Sequence, residues 1–336
     1  MDRSDDINRI VVIGASAGGL TALTELVSQL KKEWNAAYCI VLHLSRKGIS
    51  DYLVYRLQEF TELHCVRATE GLSIKRGHIY VAMPNFHLLV KKDEVKLGHG
   101  PAENRWRPSI DVLFRSAAAA YGNRTVGIIL TGLLDDGVSG MSAIKRSGGT
   151  LIVQDPNEAE YPDMPLSVLS RMEVDHCVLL SLMGTVVQET LEMEKKEPNE
   201  IPHDVVAEAQ IAEQMASGID LVSNLGENSV YTCPDCGGVL FQVEQGKLNR
   251  FRCNTGHVYA QDDLEIKQTE RLEETLWVAL RMMEERRNLL QKMEQQMMER
   301  GFARLAREHK KKLEELHNHI EKLKQILYMT QNNNET

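Results

Sequence analysis

Four side chains whose types suit nucleophilic catalysis follow apolar, strand-like segments. Ser16 lies in the glycine turn of "IVVIGASAGGL", and His43 lies at the end of the apolar run in "YCIVLHL". Asp135 and Asp136 follow the apolar segment "TVGIILTG". A serine hydroxyl becomes a nucleophile when a histidine removes its proton and a carboxylate orients that histidine. Because functional groups of open α/β sheets gather at the carboxyl ends of the strands, we expect these groups to converge at one sheet edge.

The glycine turn around Ser16 also has a nucleotide-binding interpretation. Gly14, Ser16 and Gly19 occupy the three glycine positions of the dinucleotide fingerprint G-x-G-x-x-G. The central glycine of that fingerprint lets the backbone approach a pyrophosphate, and a serine side chain obstructs this approach. The second strand also ends in His43, where a ribose-binding carboxylate is expected. Two features of the fingerprint therefore fail together, and nucleotide binding is kept only as a third hypothesis.

The same turn matches the pattern G-x-S-x-G over residues 14–18, in which a sharp strand-to-helix turn exposes a serine hydroxyl. The order Ser, His, Asp along this chain differs from the Ser, acid, His order of the α/β hydrolases, so that fold is not expected. The N–H groups around Ala17 and Gly18 precede a helix, where they are suited to stabilise an oxyanion. The structural alternative is that Ser16 is a helix N-cap.

A second group of residues has the spacing of a metal site. Cys233 and Cys236 form a C-x-x-C pair, and sixteen residues separate them from the pair Cys253 and His257. Two such pairs across a short spacer are typical of a tetrahedral zinc site. Four protein ligands leave no open position for substrate, so the expected zinc is structural, and none is expected to take part in catalysis. The alternative is free thiols with an unrelated histidine.

Strand-like and helix-like segments alternate over about the first 190 residues. Near-continuous apolar strands between helices predict an α/β fold, a three-layer αβα sandwich on a mostly parallel, doubly wound sheet. Within this region, residues 77–83 and 87–98 are predicted to form short antiparallel strands.

The composition changes after this region and predicts further units. From residue 262 onward, apolar residues recur in steps of three and four, which predicts a helical hairpin or a coiled coil. These helices pack on each other or bind a signalling partner or a second copy. The predicted organisation is a catalytic domain (1–192), an acidic linker with one short helix at 205–217 (193–228), a zinc-ribbon-like unit (229–260), a helical hairpin or coiled coil (261–331) and a disordered tail (332–336).

The bulk composition excludes several classes of protein. The chain of 336 residues carries a formal net charge of −9, whereas nucleic-acid binding depends on clustered Lys and Arg. No segment approaches the roughly 18 apolar residues of a membrane span. The first residues, "MDRSDDINR", lack the apolar core of a secretory signal. We therefore expect a cytoplasmic protein that neither binds nucleic acid nor inserts into a membrane.

Residues 9–187 resemble the catalytic domain of the bacterial chemotaxis protein-glutamate methylesterases (CheB-type). The resemblance is carried by "IGASAGG", "VLHLS", "RPSIDVLFRSAA" and "VGIILTGLLDDGVSGM", which occur in the family's order. It implies an αβα sandwich that hydrolyses glutamate γ-methyl esters on the cytoplasmic helices of chemoreceptors and releases methanol. It also assigns the triad as Ser16, His43 and Asp136. Deamidation of glutamine side chains stays open as a second activity.

Two arginines are candidates for substrate binding, and two leucines depart from the family's usual sequence. Arg105 and Arg107 precede a predicted helix and are candidates to bind acidic receptor helices, with solvated surface charge as the alternative. The family turn Gly-Met-Gly reads Gly132-Leu133-Leu134 in this chain, so the pocket around the oxyanion is expected to differ. The matching segment begins at residue 9, so regulation through a fused N-terminal receiver domain is not expected. A non-catalytic scaffold that binds partners through its C-terminal units is the alternative function.

Overall fold

The computed structural model of this chain divides into two compact units, residues 1–261 and residues 262–336. The residues that the structure describes are 7–43, 50–194, 200–214, 225–245 and 248–332.

A parallel sheet of seven strands forms the centre of the first unit. Its spatial order is β3-β4-β2-β1-β7-β8-β9, and every neighbouring pair is parallel. A separate antiparallel hairpin consists of β5 and β6. The strands are β1 (Arg9–Ala15), β2 (Ala36–Leu42), β3 (His64–Arg67), β4 (His78–Val81), β5 (His87–Lys91), β6 (Glu94–Gly98), β7 (Thr125–Ile129), β8 (Thr150–Gln154) and β9 (His176–Val178).

Helices cover both faces of this sheet, because successive side chains of a strand point to opposite faces. Ile10 and Val12 of β1 pack in one apolar cluster, whereas Val11 and Ile13 pack in the other. The first cluster includes residues of α3, α4 and α5, and the second includes residues of α1, α2 and α6. The predicted αβα sandwich is therefore confirmed. The helices are α1 (Gly19–Gln29), α2 (Ser50–Gln58), α3 (Ile110–Tyr121), α4 (Val138–Arg146), α5 (Asp163–Arg171) and α6 (Leu180–Glu192).

The prediction of an antiparallel strand at residues 77–83 is wrong in its direction. Strand β4 lies in the central sheet and is parallel to both β2 and β3. Ile79, Tyr80 and Val81 are all buried, so this strand needs cover on both faces, which the central sheet provides and a surface hairpin does not. The antiparallel prediction holds for β5 and β6.

Two further elements of the first unit follow the sandwich. Helix α7 (His203–Glu213) lies within the predicted acidic linker, and it contacts α3. Residues 215–217, the end of the predicted short helix, lie outside the described residues. A four-stranded antiparallel sheet follows, which we call the ribbon. Its strands are β10 (Glu227–Thr232), β11 (Val239–Gln245), β12 (Leu248–Cys253) and β13 (Val258–Ala260).

Two long helices, α8 (Gln261–Glu299) and α9 (Ala303–Asn332), account for the second unit. Leu280 of α8 packs with Ile320 and Leu327 of α9, so the helices form a hairpin, one of the two predicted forms. Gly301 lies in the connecting turn at φ 77°, a conformation that glycine adopts without strain. The predicted disordered tail lies outside the described residues, apart from Asn332 at the end of α9. Within the described ranges, no helix is both long enough and apolar enough to cross a membrane.

Candidate active site

Strand register brings Ser16 and His43 to the same edge of the sheet. Ala15 of β1 pairs with Leu42 of β2, and each is followed directly by one of these residues. The His43 N–H donates to the Ala15 carbonyl at 3.0 Å, and the Ser16 N–H donates to the Thr131 carbonyl beyond β7 at 3.0 Å. These backbone bonds place the three strand ends side by side, as the sequence predicts.

Glycines surround Ser16 because larger residues do not fit its turn. Gly18 has φ 72°, and a Cβ atom there would lie 2.7 Å from Glu160 Oε2. A Cβ atom on Gly132 would lie 2.7 Å from the Ser16 Cβ and 2.1 Å from the Met164 sulfur. The turn therefore holds the serine close to the segment after β7 and leaves its side chain partly exposed.

The N–H groups of Ala17 and Gly18 point to no partner within the described part of the chain. Gly19, the first residue of α1, instead donates its N–H back to the Ser16 carbonyl at 2.9 Å. Gly18 itself is the left-handed N-cap residue that directly precedes α1. The two N–H groups proposed for an oxyanion are thus available at the positive end of a helix.

His43 and Asp136 form a buried pair. The distance from His43 Nε2 to Asp136 Oδ2 is 2.9 Å, and the two side chains are 1% and 2% exposed. The other ring nitrogen, His43 Nδ1, is buried and has no hydrogen-bond partner among the residues that the structure describes. With Nε2 occupied by the carboxylate, Nδ1 is the nitrogen left to exchange a proton with a hydroxyl at this edge.

The Asp136 carboxylate lies at the N-terminus of α3, where unpaired N–H groups and the helix dipole favour negative charge. Burial raises its pKa, but the hydrogen bond and charge of His43, followed by the bonds from α3, outweigh burial, and the net pKa is below its usual value. It stays ionised and orients the imidazole. Its five donors are His43 Nε2 (2.9 Å), Ile110 N (2.7 Å), Ser109 Oγ (2.9 Å), Asp111 N (3.2 Å) and Asn104 Nδ2 (3.2 Å).

A second buried carboxylate, Asp111, supports the loop that carries Asp136. It accepts the N–H of Gly137 at 3.0 Å and the N–H of Gly140 at 2.6 Å. Asn104 Nδ2 donates to it at 2.9 Å as well as to Asp136. Burial and then the charge of Asp136 raise the pKa of Asp111 to about 7. The two loops are therefore tied together by reciprocal bonds between side chain and backbone.

The structure adds to the site an aromatic residue that no sequence motif indicates. Trp106 stacks on His43 with ring centroids 4.1 Å apart and an interplanar angle of 6°. An indole face attracts a cation, so this stack favours the protonated imidazole that forms during proton transfer. The signal in the sequence was a tryptophan between Arg105 and Arg107, next to a predicted helix start.

A cavity of about 580 Å³ lies beside this stack. His43, Trp106, Arg105, Arg107 and His257 are among its lining residues, and Ser16 is not. Both arginines are exposed, and Arg107 Nη1 also donates to the Gly100 carbonyl at 2.8 Å. The cavity thus lies on the tryptophan side of the histidine, and both arginines line it.

The two leucines of the altered turn lie at the surface near this edge. Leu133 is 45% exposed and Leu134 is 37% exposed. Leu134 has φ 66°, a left-handed conformation that favours glycine. The backbone therefore keeps the shape that a glycine would give the turn, and the leucine side chain is carried at a conformational cost.

The four residues of the expected metal site come together in the ribbon. The ligand atoms of Cys233, Cys236, Cys253 and His257 all lie within 4.8 Å of one another, so the group could hold a metal ion. Cys236 Sγ lies 3.7 Å from Cys253 Sγ, and Cys253 Sγ lies 3.5 Å from His257 Nδ1. A tetrahedral ion with Zn–S bonds of about 2.3 Å and Zn–N bonds of about 2.0 Å separates two sulfurs by about 3.8 Å and a sulfur from a nitrogen by about 3.5 Å.

A parallel αβα sandwich with a serine, a histidine–aspartate pair and free N–H groups at one strand edge defines a serine-type ester hydrolase. The family model for the CheB methylesterase matches residues 11–187. The chain belongs to the CheB methylesterase family.

Individual relatives agree with this assignment. A Leptospira interrogans protein named for protein-glutamate methylesterase and protein-glutamine glutaminase is 37% identical over 171 residues, 51% of this chain and 88% of that protein. A Sulfurimonas denitrificans protein of the same name is 36% identical, over 47% of this chain and 46% of its own length. The Thermotoga maritima CheB methylesterase catalytic domain superposes with a TM-score of 0.53 and 31% identity, covering 55% of this chain and 99% of that domain. The match therefore spans about half of this chain.

Proposed function

We propose that this chain hydrolyses glutamate γ-methyl esters on chemoreceptors, with Ser16 as nucleophile, His43 as base and Asp136 as the orienting carboxylate. The observation that carries the proposal is the buried His43–Asp136 pair, whose second ring nitrogen is unpaired at the edge where Ser16 lies. The names of the relatives support the substrate class.

The reaction follows from these groups in two halves. Ser16 Oγ attacks the ester carbonyl while His43 Nδ1 takes its proton, and Asp136 stabilises the imidazolium. The N–H groups of Ala17 and Gly18 stabilise the oxyanion. The imidazolium then protonates the departing methoxide, and methanol leaves an acyl-enzyme. Water, activated by His43, releases the glutamate and restores Ser16. A glutamine amide would pass through the same steps and release ammonia.

The proposed substrate is a methylated, acidic helix from the cytoplasmic part of a receptor, which makes a cytoplasmic location part of the proposal. Arg105 and Arg107 line the same cavity as His43. Their guanidinium groups are suited to bind the carboxylates of this receptor helix. If they do so, the double variant Arg105→Glu/Arg107→Glu loses activity on receptor and keeps activity on a small ester. Equal losses on both substrates would reject the docking role. The α8–α9 hairpin is proposed to bind a signalling partner or a second copy.

The experiment that tests the function measures methanol released from methyl-labelled receptor by the full chain and by Ser16→Ala. Removal of a triad nucleophile lowers the rate by several orders of magnitude. Release by the wild type alone supports the proposal. Equal release from both proteins, or none from either, would reject it, and no release would favour the scaffold alternative.

We also propose that Cys233, Cys236, Cys253 and His257 bind a structural zinc ion. The ligand separations fit tetrahedral zinc, and a sulfur–sulfur distance of 3.7 Å is far too long for a disulfide. Four protein ligands leave no position for substrate, so zinc stabilises the ribbon and takes no part in ester cleavage. Metal analysis of protein purified without chelator is expected to find one zinc per chain. Much less than one equivalent would refute the site.

A further inference from the structure

The last strand of the ribbon binds a turn of the catalytic domain. Residues 103–106 form a tight turn. The Glu103 N–H donates to the Trp106 carbonyl at 3.1 Å, and the Trp106 N–H donates to the Glu103 carbonyl at 2.9 Å. Asn104 and Arg105 in its centre have φ 47° and 68°, as in a type I′ turn. Asn104 donates its N–H to the Val258 carbonyl of β13 at 2.9 Å. The turn that carries Trp106 is therefore held by ribbon backbone.

The side chain of Asn104 joins this ribbon strand to the active site. Its oxygen accepts the Ala260 N–H at 3.2 Å. Its nitrogen donates to Asp111 at 2.9 Å and to Asp136 at 3.2 Å. Asn104 is itself only 3% exposed, so water does not replace these bonds readily. One amide thus connects β13 to the carboxylate that orients His43.

A buried network of five charged groups holds the ribbon in this position. The ribbon contributes Arg250 and Arg252, and the catalytic domain contributes Glu103 and Arg115, with Glu208 from α7. Arg250 binds Glu208 at 2.9 and 2.7 Å, and Arg252 binds Glu103 at 2.9 Å. Arg115 binds both carboxylates. If the ribbon moved away, each carboxylate would lose its ribbon arginine and the two ribbon arginines would lose their carboxylates, which is costly for buried charges.

We infer that the ribbon is a positioning element for ester hydrolysis, and that Asn104 is the positioning residue. Through Asn104 the ribbon holds Asp136 in place, and through the turn that carries Trp106 it holds His43 in place. The inference rests on the proposed function. The ribbon thus contributes to the reaction by positioning other residues, without contacting the ester itself. The metal cluster affects turnover because it holds β13 in place, and it makes no contact with the substrate carbonyl.

The test uses Asn104→Gly in the full chain, because glycine adopts φ 47° without strain and only the side chain is lost. The matched control is Asn228→Gly, since Asn228 lies exposed on β10 of the same ribbon. The first readout is the rate at which a fluorophosphonate labels Ser16, which needs no receptor. Loss of a bond to a charged group is expected to slow labelling about tenfold or more. The control is expected to label at the wild-type rate.

The second readout is the fluorescence of Trp106 in a Trp34→Phe/Trp277→Phe background, which leaves one tryptophan. Stacking on the His43 ring, with centroids 4.1 Å apart, is expected to quench this emission. Asn104→Gly is expected to lose most of this quenching while unfolding cooperatively. A purely structural role for Asn104 would lower the unfolding temperature and leave both the labelling rate and the quenching as in the wild type.

The outcomes separate this inference from the proposed function. Wild-type labelling and quenching in Asn104→Gly would overturn the inference. If wild type and Ser16→Ala are equally unreactive, the proposed function fails, and the Trp106 signal still decides on the coupling because it needs no substrate. If Asn104→Gly does not fold, the same two readouts are taken on wild type stripped of its metal by a chelator. Unchanged labelling and quenching after verified metal loss would then overturn the inference.

Discussion

Replacement of Asp136 by asparagine is the sharpest test of the active-site geometry. The carboxylate accepts five hydrogen bonds, two at Oδ2 and three at Oδ1. An asparagine can accept at only one of these atoms, since the other becomes an NH₂ group. If the NH₂ replaces Oδ2, it faces the Ile110 N–H, and His43 must present an unprotonated Nε2. The proton then lies on Nδ1, and His43 no longer serves as a base for Ser16.

The opposite orientation of the amide places its NH₂ against the Asp111 N–H and the Asn104 amide. In either orientation at least one buried N–H loses its acceptor, which costs about 1–3 kcal/mol of stability. The kinetic effect is larger. A wrong tautomer with intact geometry lowers turnover by about 10⁴-fold in a serine protease triad. That factor corresponds to about 5.5 kcal/mol of transition-state stabilisation.

The assay measures kcat for methanol release and the rate of fluorophosphonate labelling, together with thermal unfolding. The matched control is Asp135→Asn, the same substitution one residue earlier. Asp135 is paired with Arg171 at 3.5 Å and is half-buried, so its loss is expected to leave kcat within a few-fold of wild type. If Asp136→Asn retained activity within tenfold, or if Asp135→Asn were the inactive variant, the assigned triad would be wrong.

Two further changes test the conformations and charges that support the site. Leu134→Gly is expected to raise the free energy of unfolding by about 1 kcal/mol, because φ 66° is strained for leucine. The control is Leu133→Gly, and an equal gain in unfolding free energy there would contradict the reasoning. Glu208→Gln is expected to destabilise the chain by about 3–5 kcal/mol at pH 7 because it leaves the buried Arg250 without its carboxylate partner. Glu213→Gln, on the surface of the same helix, is expected to destabilise it by less than about 1 kcal/mol. Burial raises the pKa of Glu208, but the charges of Arg250 and Arg115 outweigh it and hold the pKa well below its ordinary value of 4.5. The stabilisation by Glu208 is therefore complete above about pH 4.5 and is lost as the pH falls. Denaturant titrations from pH 7 to pH 3 should show that acid lowers the free energy of unfolding less in Glu208→Gln than in the wild type. Parallel curves of unfolding free energy against pH would refute the network's role.

Much of the site could be predicted because it depends on local patterns. The glycine turn at Ser16 and the apolar runs before His43 and Asp136 predict strand ends, and parallel strands bring their carboxyl ends to one edge. The grouping of three cysteines with His257 could be predicted because their spacing is local to two turns. The direction of β4 could not be predicted, because five apolar residues in a row, at 79–83, suit a hairpin as well as a central strand.

The contacts around the pair His43–Asp136 depend on residues that are distant in the chain. Asn104 and Trp106 belong to a turn with no hydrophobic period, and their partners lie up to 156 residues away. Nothing in the sequence near Arg252 indicates that it binds Glu103, because a charged residue in a strand is usually solvated. Burial of these charges follows only when α7 packs on α3 and the ribbon packs on α7 and on the turn that begins at Glu103.

The sequence by itself determined the αβα class, the strand-end residues and the grouping of three cysteines with one histidine, because each depends on the period or spacing of neighbouring residues. The tertiary structure alone decided which nitrogen of His43 is unpaired, which donors surround Asp136 and where the ribbon lies. These are matters of distance and orientation between segments that the sequence separates widely. Their energies arise from burial, which strengthens hydrogen bonds and ion pairs only after the segments have packed together.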